Sequence, residues 1–318
     1  MSRTGKNLKS AGMSMTKGIT APITAIGALS TKIGMEFEDS MQKSISIMGD
    51  VSDSMRNNMG EAAREVAMTT DKSAKQAADS YFYLASAGMD AKESIKALPK
   101  VANFATAGQF KMSEATDLLT DAQSALGLTV DDTAQNMKNM QRVSDVLVKA
   151  NTEANASVQQ FSEALTNKAG AALKTVNKDI EEGSAVLAVL ADQGIKGQKA
   201  GNELSRTLRY MKKAALENKE ALKKHNVEIF DGNGNMRNMA AITKDLEVAL
   251  KGMSDQEKAA TLKAMGFNAE TQGTIMKLMG SSEQMKKYIQ SEFFDEKPTP
   301  EQKLRNERKT KLKKLGVI

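Results

Sequence analysis

The sequence contains no cysteine and no tryptophan, only four prolines in 318 residues, and a single histidine, His225. Without thiols it can form neither disulfides nor thiolate sites. One imidazole without cysteine partners cannot build a histidine–cysteine zinc centre. Aromatic residues make up 4 % of the chain, so a core must be filled mainly by Ala, Leu and the 21 Met, a composition that favours helices. Methionine adapts to irregular neighbours; the plain expectation here is that it stands in for Leu in ordinary helix packing.

The sequence also lacks a general charge excess. Its net charge is +6, and residues 297–318 alone hold eight Lys or Arg against Glu301 and Glu307, which leaves 37 basic and 37 acidic groups in residues 1–296. Within that neutral part the first 35 residues carry Arg3, Lys6, Lys9, Lys17 and Lys32 and no acid. Basic character therefore sits at the two ends and does not form a broad nucleic-acid-binding face. Long hydrophobic runs are missing as well. The stretch Ile19–Leu29 includes Pro22 and two threonines and follows a long polar lead-in. It is too short and too polar for a secretory core or a good membrane span, and reads as an amphipathic or partner-docking segment.

What is present is helix grammar. Ile242, Leu246, Ala249, Leu250 and Met253 share one helix face, as do Leu204, Leu208 and Met211, and Val143, Val146, Leu147 and Ala150. Asp90 with Glu93, Ser157 with Gln160 and Ser254 with Glu257 have the spacing of capping boxes. Four stops share a glycine followed by an apolar residue: Gly88-Met89, Gly127-Leu128, Gly194-Ile195 and Gly266-Phe267. Glycine accepts the left-handed conformation that ends a helix, and the apolar residue folds back on the last turn. Leu84–Gly88 resembles Leu190–Gly194, a likeness that convergence on one turn explains better than duplication. The expected fold is mainly α, a succession of helical hairpins, elongated or loosely packed. One small β-hairpin is expected near 227–239, around Asp231-Gly-Asn-Gly-Asn235. Pro298-Thr-Pro300 breaks the pattern. The expected organisation is a basic lead-in and apolar segment over 1–35, a helical core over 36–290 and a linker with a basic tail over 291–318.

Chemistry-bearing constellations are scarce. Counted as a calcium loop from Asp231, position 12 is Ile242 and position 6 is Met236, where a bidentate Glu and a glycine are needed; a plain Asp-Gly turn fits better. Gly194-Ile-Lys-Gly197 with Gly201 matches no phosphate cradle and reads as a helix stop and a tight turn. Glu181-Glu182 reads as solvated helix surface. His225 follows Lys223 and Lys224 as a cation near a helix C-terminus. No catalytic, cofactor-binding or metal-binding residue is assigned, no cofactor is expected, and an enzyme is the least expected reading.

The ordered series Gly5–Gly12, Met15–Lys17, Thr20–Pro22, Gly34–Glu38, Tyr83–Asp90, Leu98-Pro99, Ala115–Leu119, Ala125–Gly127, Ala188–Gly197, Ala200-Gly201 with Leu204, and Phe230–Arg237 resembles the tail tape measure proteins of long-tailed phages. The resemblance covers most of residues 4–290. It implies a structural virion protein that lies in the growing tail, sets its length and is expelled during DNA delivery. The partners it implies are the tail tube protein, tail assembly chaperones, tail tip or baseplate proteins, further copies of itself and the host membrane. The locations it implies are the host cytoplasm, then the tail lumen. Members of the family are usually much longer, so a truncated or split product is the expectation. Two other readings remain at this stage: a membrane-active helical protein using residues 19–34, and a nucleic-acid-associated protein using the basic C-terminal tail.

Overall fold

A computed structural model describes residues 21–290 and, among these, the side chains of residues 32–289. The expected lead-in before residue 21 and the basic tail 291–318 lie outside the described residues. The chain divides into two compact units, Met1–Leu98 and Pro99–Ile318.

In the first unit, helices α1 (Ala21–Ser46) and α2 (Asp53–Thr69) both pack on α3 (Ala74–Ser86). The buried centre is Tyr81, with Met41, Met59, Ala63, Ala77, Ala78 and Leu84. Because a buried phenol needs a partner, the Tyr81 hydroxyl donates to the carbonyl of Met59 at 2.9 Å. The Ser44 hydroxyl likewise donates to the carbonyl of Ala78 at 2.8 Å, which fastens α1 to α3. Helix α4 (Ala91–Gly108) contains the division between the units and holds Pro99 within it. Proline has no amide to give to the preceding turn, so this helix lacks one ladder bond at that point.

The second unit continues through α5 (Met112–Ala125), α6 (Thr133–Glu153), α7 (Val158–Ala164), a π-helical turn (Leu165–Ala169) and α8 (Gly170–Thr175). It is completed by α9 (Ile180–Asp192), α10 (Gly197–Glu217), α11 (Lys219–Lys224), α12 (Met239–Ala249), α13 (Asp255–Ala264), α14 (Ala269–Leu278) and α15 (Ser282–Gln290). Helix α9 is buried at every position from Ile180 to Ala191 and packs against α6, α10 and α15 among others. A helix apolar all round must be enclosed, and Ala185-Val-Leu-Ala-Val-Leu-Ala191 is such a sequence. Packing in this unit is therefore close, tighter than the loose arrangement expected from composition. Most of the methionines whose burial is described lie in these cores, as ordinary packing requires.

The fold is mainly α, and the cap grammar is realised bond by bond. Capping boxes form at Asp90/Glu93, Ser157/Gln160 and Ser254/Glu257. Gly88, Gly127, Gly194 and Gly266 all have positive φ. The amides of Met89, Leu128, Ile195 and Phe267 reach back five residues to the carbonyls of Leu84, Gln123, Leu190 and Leu262. The likeness of Leu84–Gly88 to Leu190–Gly194 is thus the likeness of one helix stop to another.

The expected β-hairpin is corrected. Residues 227–239 hold one isolated antiparallel bridge, Phe230 with Met236, and no strand. The Asp231 carboxylate accepts from the amides of Asn233 and Asn235, both at 2.9 Å, so the side chain itself shapes the loop. Asn238 caps α12 directly afterwards, leaving too few residues to extend a ladder. Gly201 is a second correction: it lies inside α10 and forms no turn. A Cβ there would collide with the carbonyl oxygen of Ala164, so glycine lets α10 cross α7 at backbone distance.

Three alanine substitutions separate these roles. Gly194→Ala keeps its space and should cost about 1–2 kcal/mol through left-handed strain. Gly201→Ala should cost about 1–3 kcal/mol through overpacking at the crossing. Gly273→Ala, within α14 and with open space around it, should be neutral or stabilising by up to about 1 kcal/mol. Denaturant midpoints measure all three; equal losses at Gly194 and Gly273 would contradict the assignment of the helix stop.

Candidate functional site

A buried polar arrangement lies at the start of α9. Glu181 and Glu182 are buried, which corrects the reading of this pair as solvated surface. Glu181 accepts a two-pronged contact from the guanidinium of Arg142 on α6, Nε to one oxygen and Nη2 to the other. Glu182 accepts from the Lys178 ammonium at 3.1 Å and from the amide of Met239, the first residue of α12, at 2.6 Å. A carboxylate at a helix N-terminus satisfies a free amide and meets the positive end of the helix dipole. Burial pushes the Glu182 carboxyl above the usual glutamate range, while the Met239 amide and Lys178 hold it down.

The same device recurs on α12. Glu247 accepts from the amides of Gly280 and Ser282 at 2.9 and 3.0 Å and from the Ser282 hydroxyl at 2.6 Å, which caps α15 from outside. Along one side of α15, Asp192 from the end of α9 accepts from Gln284 at 3.0 Å and from the Tyr288 hydroxyl at 3.3 Å. Glu182 therefore fixes α12 to α9, Glu247 fixes α15 to α12, and Asp192 returns α15 to α9. Each of these carboxylates is engaged by donors, so the arrangement positions helices and leaves no free acid–base pair at α9.

The other residues singled out in the sequence lie apart from this ring. Asp231 spends one oxygen on loop amides. His225 sits at the end of α11, where its amide donates to the carbonyl of Leu222. Among the described residues no cluster of three or more His, Cys, Asp or Glu is arranged to hold a metal. Also among the described residues, no helix is long and apolar enough to cross a membrane. Sequence reasoning missed the carboxylate ring because its members are far apart in the chain; the one local hint was two acids, Glu181 and Glu182, in the first turn of an otherwise apolar helix.

Residues 60–266, about two thirds of the chain, match the model of the phage-related minor tail proteins. The chain belongs to that family. This minor tail protein is 26 % identical over 283 residues, 89 % of its length, to the tape measure protein of Pneumococcus phage Dp-1. It is 28 % identical over 275 residues, 82 % of its length, to the probable tape measure protein of Escherichia phage P2. It spans 24 % and 33 % of those two proteins. No solved structure matches it.

Glu182 yields a pH test. An acid whose folded pKa is raised binds more protons folded than unfolded, so it withdraws stability as pH rises from the ordinary glutamate range to its own raised value. Glu182→Gln retains an acceptor for Met239 and removes that titration. Its stability relative to the parent chain should improve across this pH window, followed by urea midpoints at several pH values. A constant difference across the window would show that Glu182 does not titrate with folding.

Proposed function

We propose that this chain is the helical core of a tail tape measure protein, a scaffold around which tail tube subunits polymerise, which limits tube length and leaves with the DNA at delivery. The observation that carries the reading is the match along more than four fifths of the chain to two proteins named for that task. On this reading its partners are the tail tube protein, tail assembly chaperones and tail tip or baseplate proteins. It moves from the host cytoplasm to the tail lumen, with host membrane contact at delivery. Engaged carboxylates, close helix crossings and capped helix ends suit a part whose work is to hold shape.

The fold adds a condition to the ruler. A continuous helix rises about 1.5 Å per residue, but helices that turn back at Gly127, Gly194 and Gly266 span less than their summed length. In-frame deletions in the gene should shorten tails measured by electron microscopy, and insertions of helix should lengthen them. A slope near 1.5 Å per residue means the core opens out inside the tube, and a smaller slope means it stays folded there. Unchanged tail length across several deletions would remove the ruler reading.

A further inference from the structure

We propose that copies of this chain join head to tail through two oppositely charged faces of the second unit, the outer face of α10 on one copy against the outer face of α5 on the next. The proposal rests on the charges of that unit and not on the ruler reading. Residues 1–296 are neutral in sum, but the second unit separates its charges. Residues 112–132 hold five acids, Glu114, Asp117, Asp121, Asp131 and Asp132, and no Lys or Arg. Residues 196–224 hold nine Lys or Arg against Glu203, Glu217 and Glu220.

On α5 the burial of Ala115, Leu119 and Ala122 turns Glu114, Asp117 and Asp121 to the outside, at the spacing of neighbours on one helix face. Asp117 and Asp121 are exposed, as are Asp131 and Asp132 in the loop that leads to α6. None of the five acids joins an ion pair among the described residues. Partial burial and the neighbouring Asp121 charge raise the Asp117 carboxyl above the usual aspartate range. On α10, Gly201, Leu204, Leu208 and Met211 are buried, and Lys199, Arg209, Lys212 and Lys213 are exposed along the other side. Lys213 meets Glu217 at 3.6 Å, whereas Lys199, Arg209 and Lys212 join no ion pair among the described residues. Helix α11 follows with the exposed Lys219, Lys223 and Lys224. Each face also offers one apolar side chain to a partner: Leu216, 63 % exposed, on α10, and Val130, 37 % exposed, beside Asp131.

Helix α7, the π-helical turn and α8 pack on both α5 and α10 and stand between the two faces. Gly201 of α10 meets the Ala164 carbonyl, and Gly170 meets Ala125 of α5. Between Ala164 and Gly170 the π turn takes up one residue of the helical repeat, so the two contacts point about 140° apart around that rod. The faces therefore cannot neutralise each other within one chain. A second copy offers each face its complement. The two surfaces differ, so the contact is heterologous and repeats from copy to copy. A polyanion such as DNA would match the basic face alone and leave the five acids of the other without partners. Charged side chains dominate both surfaces, so association is expected to be weak and to fade with salt.

A charge reversal on the full chain tests the contact. One variant carries Arg209→Glu with Lys212→Glu, the other Asp117→Lys with Asp121→Lys. All four positions are exposed and outside ion pairs, and thermal melts by circular dichroism check that each variant folds as the parent does. Single Lys212→Glu and Asp121→Lys chains replace a double variant that melts early. In sedimentation velocity at low salt the parent chain should form oligomers that grow with concentration and dissociate at high salt. Each variant alone, with both faces of one sign, should stay monomeric. An equimolar mixture of the two variants should associate again, raising the weight-average mass about twofold. A parent chain that is monomeric at every concentration in low salt would overturn the proposal, and so would a mixture that stays monomeric. Variants that associate as the parent does would place the contact elsewhere and overturn it too. Binding of a monomeric parent to double-stranded DNA, lost with Arg209→Glu and Lys212→Glu, would assign the basic face to nucleic acid and overturn it as well.

Discussion

Burial of α9 on all sides is the constraint from which the second unit follows. Its Ile, Val and Leu side chains each gain about 1.5–3 kcal/mol on leaving water, but only if neighbours close over every face. Helices α6, α10 and α15 do this together with α8 and α14. An enclosed helix has no solvated face on which to place charge, so the polar groups at its ends must find partners inside the protein. Glu181 and Glu182 at its start do so through Arg142, Lys178 and the Met239 amide, while the exposed Asp192 at its end accepts from Gln284 and Tyr288.

The polar contacts thereby acquire a directional task that the apolar surface cannot perform. Apolar burial packs α15 on α9 and α12 on α15 but tolerates sliding between them. A carboxylate aimed at the first amides of a helix fixes where that helix begins. Glu182 sets the start of α12 and Glu247 the start of α15. The order is sequential, because Glu247 rides on the helix that Glu182 has placed.

Much of this was legible from local spacing and the rest was not, for physical reasons. The boxes at Asp90, Ser157 and Ser254 and the stops at Gly88, Gly127, Gly194 and Gly266 depend on residues within one turn, and the sequence shows both halves of each. The same stop made by Gln109, Asn177 or Asn226, all at positive φ, carries no glycine to flag it, although the amides of Phe110, Lys178 and Val227 reach back in the same way. The box at Ser73 and Gln76 has the same local spacing. The buried state of Glu181 and Glu182 depends on Arg142 and Met239, tens of residues away, and no local pattern predicts that meeting. The loop at 231–235 has the composition of a hairpin turn, yet a turn becomes a hairpin only if strands follow it, and here α12 begins instead.

The scarcity of aromatics has a structural counterpart. With few large rings, volume between helices is controlled by how closely the backbones approach, and glycine sets that distance. At Gly201 α10 meets the carbonyl of Ala164, at Gly170 α8 comes against Ala125 of α5, and at Gly183 α9 receives Leu173 of α8. The π-helical turn at Leu165–Ala169 lies between the first two of these contacts along α7 and α8. A π turn adds one residue to the helical repeat, and this rotates the residues after it relative to those before. Ala164 is thus presented to α10 while Gly170 faces α5, an alignment that an uninterrupted α-helix of the same sequence would shift by about 100° for one residue. Specificity in this core therefore rests on where side chains are absent and on a single extra residue in one turn, which is why a composition so poor in aromatics can still enforce one packing.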